Sequence, residues 1–88
     1  MEEYKNYPPE AYLKALLRTY PALADIYIQL WKIQKGMKIS IDRDDVNYQF
    51  DVSATLFKNH CLKLCRQGFL DFREVDKKFV VFLYRERK

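Results

Sequence analysis

Thr55, Lys58 and Asn59 follow Ser53 at helical spacing, and Lys63 and Arg66 continue the polar series. These residue types suit a polyanion with readable edges. An asparagine amide can bond adenine through donor and acceptor together, a lysine can reach guanine or a phosphate, and a threonine methyl can meet that of thymine. Lys63 and Arg66, farther along, suit phosphate oxygens. Lys77 and Lys78 stand beside Asp76 in a short polar stretch and offer further phosphate contacts, opposed by Glu74 and Asp76. A solvated helix face explains the same polar residues without any partner.

Catalytic chemistry finds less material. The single histidine, His60, adjoins Cys61, but neighbouring helical residues point about 100° apart and make no nucleophile–base pair. Cys61 and Cys65 share a helix face, yet a structural zinc takes about four ligands and no CxxC or HxxxH accompanies them. Two thiols without spaced partners suit a reducing compartment. With only two glycines, the chain also lacks a phosphate-cradling loop. The expectation is no enzyme activity, no metal and no cofactor.

These residues need a scaffold, and the sequence supplies its signals. Ser53 can cap a helix that Gly68 ends, because a serine oxygen accepts from free N–H groups and glycine tolerates φ > 0. Phe57, His60, Cys61 and Leu64 recur on it at intervals of three and four, and His60 reads as a core or boundary residue. Past Gly68 the period becomes alternating, from Leu70 to Val75 and from Phe79 to Tyr84, with Asp76-Lys77 as a hairpin turn. Leu70, Phe72, Val81 and Leu83 share one face, while Val80, Phe82 and Tyr84 share the other. A hairpin apolar on both faces asks for a second surface, from the N-terminal helix or another subunit.

Upstream, Pro8-Pro9 forbids an earlier helix and permits one from about Glu10, with Leu13, Leu16, Leu17 and Tyr20 at intervals of three and four. Pro21 interrupts it. The stripe resumes with Leu23, Ile26, Tyr27, Leu30, Trp31 and Ile33 and stops at Gly36, giving a kinked pair or one bent helix. Ile39 and Ile41 alternate with Lys38 and Ser40, which predicts a strand beside the hairpin. Asp42 or Asp44 is placed to cap a short helix through Val46, Tyr48 and Phe50.

At 88 residues the chain permits one domain, taken as residues 10–88 behind a loose arm of residues 1–9. A domain this small buries about 60–65% of its unfolded surface, and with 16% aromatic residues it carries more apolar surface than one core easily hides. A homodimer is expected. The formal charge of +4 permits attraction to nucleic acid without demonstrating it. No run approaches the ~18 apolar residues of a membrane span, and the acidic start is no secretory leader. A soluble cytoplasmic protein without membrane contact is the expectation.

The span from about Leu23 to Tyr84 resembles the winged-helix DNA-binding domains of bacterial transcription regulators. The register around Ser53, Leu64 and Gly68 is similar to that of the MarR-like group, which implies that Phe57, His60, Cys61 and Leu64 face the core and Thr55, Lys58, Asn59, Lys63 and Arg66 face outward; replication initiators of plasmids and phages use related domains. The resemblance implies an α+β fold, mainly helical: a winged helix-turn-helix with a C-terminal β-hairpin wing and a kinked N-terminal helix. It also implies a double-stranded DNA partner, with the helix from Ser53 in the major groove and the hairpin on the backbone or minor groove. Two departures stand out. The chain is too short for the further dimerisation helices of the MarR fold, and its hairpin is less basic, with Arg73, Lys77, Lys78 and the tail Arg85, Arg87 and Lys88 set against Glu74, Asp76 and Glu86.

Leu56 and Leu62 fit poorly on a face pressed to a charged groove, although Leu56 can meet a thymine methyl. With Val80, Phe82 and Tyr84 they motivate the alternative, a winged helix serving as a protein–protein interaction module. A small phage or mobile-element protein docking on a host complex is one example.

Overall fold

In a computed structural model, which describes residues 6–83, the chain is an α+β fold of four helices and a three-stranded antiparallel sheet. Helix α1 runs Glu10–Thr19 and α2 runs Ala24–Ile33. They form the kinked pair: Tyr20 leaves helical space at φ −138°, ψ 72°, and Pro21 opens a 3-10 turn, Pro21–Leu23. Proline supplies no N–H there, so the α1 ladder cannot continue. Strand β1 is Lys38–Asp42, helix α3 Val46–Phe50, helix α4 Ala54–Arg66, and strands β2 and β3 are Leu70–Val75 and Lys78–Leu83.

The sheet order is β1-β3-β2, so the first strand lies outside the hairpin against its second arm. The register matches Lys38 to Phe82 and Asp42 to Lys78, hence β1 supports β3 along its length as far as the turn. Asp76 takes φ +57° in the two-residue turn, a conformation aspartate tolerates better than most residues. The Arg43 N–H then donates to the Lys77 carbonyl at 2.8 Å, tying the turn to the end of β1.

The core lies between the sheet and the helices. Phe57 of α4 packs with Phe50 at 4.9 Å between ring centroids and stacks on Phe79 of β3 at 5.6 Å, while Phe69 meets Tyr27 at 5.5 Å. Phe57, Phe79 and Tyr27 are fully enclosed, and burying a large apolar side chain is worth about 1.5–3 kcal/mol. The expected inner hairpin face holds: Leu70, Val81 and Leu83 are buried and Phe72 packs against the core.

Several expectations need correction. The α1 stripe is divided, with Leu16 enclosed and Leu13 packed against the core but Leu17 49% and Tyr20 38% exposed. Neither Asp42 nor Asp44 caps α3 by its side chain, because a 3-10 turn, Arg43–Asp45, leads straight into the helix. On the outer sheet face, Phe82 is half-buried. The Lys38 ammonium lies 5.8 Å and the Arg73 guanidinium 6.0 Å from its ring centre, so cations flank the apolar face. Residues 1–5 of the arm, and Tyr84, Arg85, Arg87 and Lys88, lie outside the described residues. In the rest of the arm Pro8 is enclosed, and Asn6 donates to the Lys32 carbonyl at 3.3 Å.

Candidate nucleic-acid interface

Helix α4 is fixed at both ends. Ser53 sits in extended space and its hydroxyl oxygen accepts the Leu56 N–H at 3.1 Å, satisfying one of the free donors of the first turn. At the other end Gly68 adopts φ +86°. Its N–H donates to the Cys65 carbonyl and that of Phe69 to the Leu64 carbonyl, both at 3.0 Å. This is a Schellman closure, which needs a left-handed residue where Gly68 stands. The buried Phe69 then leads the chain into β2.

With the ends fixed, burial of Phe57, Cys61 and Leu64 sets the rotation of α4. Thr55, Asn59, Lys63 and Arg66 are exposed and have no side-chain partner among the described residues. Their donors and acceptors are free for a ligand. His60 falls at the boundary rather than inside, and its shielded Nδ1 has no partner among the described residues. Partial burial, helped by the Lys63 charge, lowers its pKa below the usual 6.5.

Lys58 points elsewhere. Its ammonium lies 2.9 Å from one carboxylate oxygen of Glu74 on β2, whose other oxygen is 3.7 Å from the Arg43 guanidinium. The Lys58 hydrogen bond, with the charges of Lys58 and Arg43, holds the Glu74 carboxyl below its ordinary 4.5. Glu74 thus draws two cations toward the sheet. The hairpin tip is similarly balanced: Lys78 is 4.0 Å from Asp42, Lys77 is exposed beside Asp76, and Asp44 and Asp45 follow Arg43.

No protein-family model, curated protein or solved structure matches this chain. The geometry therefore speaks alone. Among the described residues, no group of three or more His, Cys, Asp or Glu is placed to hold a metal, and no helix is long and apolar enough to cross a membrane. Cys61 is an enclosed free thiol whose pKa burial pushes up to about 12, and Cys65 is half-buried, its thiol 3.9 Å from an Asp71 carboxylate oxygen. A thiol held protonated is a poor nucleophile and a poor ligand.

In the sequence Glu74 reads only as a charge opposing the hairpin lysines, and nothing links it to Arg43. The structure makes them the centre of an ionic cluster joining the β1 end, α4 and β2. Only the long-range packing of α4 on β2 brings Lys58 to Glu74, so no local pattern marks the pair. Leu56 is 43% exposed on the flank of α4, whereas Leu62 is half-buried.

Proposed function

We propose that this chain is a small non-enzymatic DNA-binding protein of the winged-helix kind, a transcriptional regulator or replication-associated factor, with α4 as the helix that enters the major groove. The observation that carries the reading is the outward face of α4. Thr55 and Asn59 near its N-terminus, and Lys63 and Arg66 near its end, project from a rigidly capped helix without internal partners. That order puts base-reading types first and phosphate-holding types after them. The element order and the β1-β3-β2 sheet are compatible with the winged helix. Lys58 belongs in this reading as a held-back cation rather than a free base reader.

Fluorescence anisotropy on duplex DNA tests it. Once a preferred site is selected, Asn59→Ala is expected to cost about 1–3 kcal/mol of discrimination at one base pair. Arg66→Ala should weaken binding to all sequences alike and reduce the salt slope by about 0.9. Absence of salt-dependent binding to any duplex refutes the proposal.

A second reading, a protein-docking module, is favoured by the exposure of Leu56 and by the acidic groups Asp42, Asp44, Asp45 and Asp76 around the hairpin turn. Leu56→Glu separates the two readings: loss of a protein partner with DNA binding intact supports docking.

A further inference from the structure

Strand β3 is the middle strand of the sheet, and its residues alternate between two faces. Phe79, Val81 and Leu83 are buried, and Phe79 stacks on Phe57 of α4. Val80 and Phe82 stand on the opposite face, away from α4, and are only half-buried. Beside them Lys38 and Ser40 of β1 and Arg73 of β2 are exposed, so this face of the sheet is open to solvent. The register sets Phe82 between Lys38 on one neighbouring strand and Asp71 on the other, with Arg73 on the diagonal. Lys35 extends the row. It pairs with Lys38 through both backbone bonds, at 3.0 and 3.2 Å, and directly opposed residues share a face. Lys35 and Lys38 make no ion pair among the described residues, and the pair of Arg73 with Asp71 is long, at 4.0 Å. Three cations against one carboxylate give the surroundings of the Phe82 ring a positive field.

We propose that this face binds a single-stranded nucleic acid, with one base stacked on Phe82 and the adjoining phosphates held by Lys38 and Arg73. The argument is charge complementarity around an aromatic platform, the combination by which single strands are held without regard to sequence. The Lys38 ammonium lies 5.8 Å and the Arg73 guanidinium 6.0 Å from the ring centre. That is the long limit of a cation–π contact, so both groups are free to turn to a phosphate while a base takes the ring. Lys35 stands next in the row for a further phosphate. A duplex is the poorer occupant here, because its bases stack on one another and offer no free π-face. Val80 beside the ring gives the base an apolar neighbour. Since α4 packs against the other side of the sheet, the site is independent of what α4 binds.

Fluorescence anisotropy on the full chain tests the site, with fluorescein-labelled oligothymidylate and oligouridylate of about ten nucleotides, a length one such surface spans. Circular dichroism confirms each variant's fold. Binding is expected at low salt and should weaken as salt rises. Phe82→Leu keeps apolar bulk but removes the ring, and should weaken binding at least about tenfold, a step of about 1.4 kcal/mol, in the range of one stacked base. Phe82→Tyr keeps the ring and should bind as wild type does. Lys38→Ala and Arg73→Ala should each flatten the salt slope by about 0.7, the value for one phosphate of a single strand. Should Phe82→Leu unfold the chain, these two exposed positions still decide. Phe82→Leu should leave duplex binding unchanged, and a wild type that binds the single strand but no duplex keeps this proposal while refuting the α4 reading. Absence of binding to both oligonucleotides overturns the proposal. So does binding indifferent to Phe82→Leu, Lys38→Ala and Arg73→Ala, which would place the strand on another surface such as α4.

Discussion

Glu74→Gln is the most diagnostic change available, because it alters charge without altering shape. In the wild type the carboxylate holds Lys58 at 2.9 Å and Arg43 at 3.7 Å. Its pKa lies below 4.5, so the group is ionised throughout the physiological range. Its ion pairs contribute to folding above about pH 4.5. That contribution is lost only as the pH falls through the lowered folded value. Gln keeps the volume, removes the negative charge and leaves two cations without a counter-charge. Each phosphate neutralised by a cation steepens the dependence of log K on log salt by about 0.9, so two freed cations add up to about 1.8. Between about 50 and about 200 mM salt, that is roughly a further tenfold in the loss of affinity. At the low-salt end the variant binds more tightly than wild type. Anisotropy titrations on a generic duplex at several salt concentrations read both numbers directly. The partners are partly exposed, and exposed ion pairs add little to stability, so the thermal midpoint should barely move. An unchanged slope, or weaker binding at low salt, refutes the placement of Lys58 and Arg43 beside the DNA.

Three further outcomes test the scaffold. Ser53→Ala removes the hydroxyl that accepts the Leu56 N–H and is expected to cost about 1 kcal/mol in urea unfolding, with Ser53→Asp nearly neutral. Gly68→Ala places a β-carbon at φ +86°, where no atom lies within 4 Å, so the cost is backbone strain of about 1–2 kcal/mol rather than a clash. His60 has a folded pKa below 6.5. It therefore favours the folded state above that pH, and the advantage is lost as the pH falls from about 6.5 toward the folded value. Unfolding curves between about pH 5 and about pH 7 should flatten in His60→Gln, and an unchanged pH profile counts against the shielded Nδ1.

What the sequence announced was local. Ser53 and Gly68 bound α4 because a cap and a left-handed stop are decided within a few residues. Ile39 and Ile41 marked β1, and the alternation from Leu70 to Leu83 set the hairpin and its inner face, since strand periodicity is likewise short-range. Pro21 separated α1 from α2 by chemistry carried in one residue. What stayed hidden depends on contacts between distant segments. Lys58 reads as a free base reader until β2 brings Glu74 beside it. Nothing local says that Lys38 and Arg73 flank Phe82 on the outer hairpin face. Leu17 and Tyr20 share the spacing of Leu16, yet spacing alone does not say which positions of a wide stripe reach the core, and these two are exposed.

The pairing of β1 along β3 also decides how a DNA-binding role must be divided. A hairpin that projects past its sheet can reach a neighbouring groove, but here Asp42 pairs with Lys78 and Arg43 ties down Lys77. The turn is level with the end of β1. Asp42 lies 4.0 Å from Lys78 and Asp76 adjoins Lys77 in the turn, so both lysines stand beside negative charge. Under the DNA reading, then, α4 carries most of the contact, with Lys63 and Arg66 as its unencumbered phosphate ligands. Two such contacts imply a wild-type salt slope of only about −2, shallow for a regulator acting as a single copy. Glu74→Gln should steepen it by releasing Lys58 and Arg43, whereas Arg66→Ala should flatten it by about 0.9.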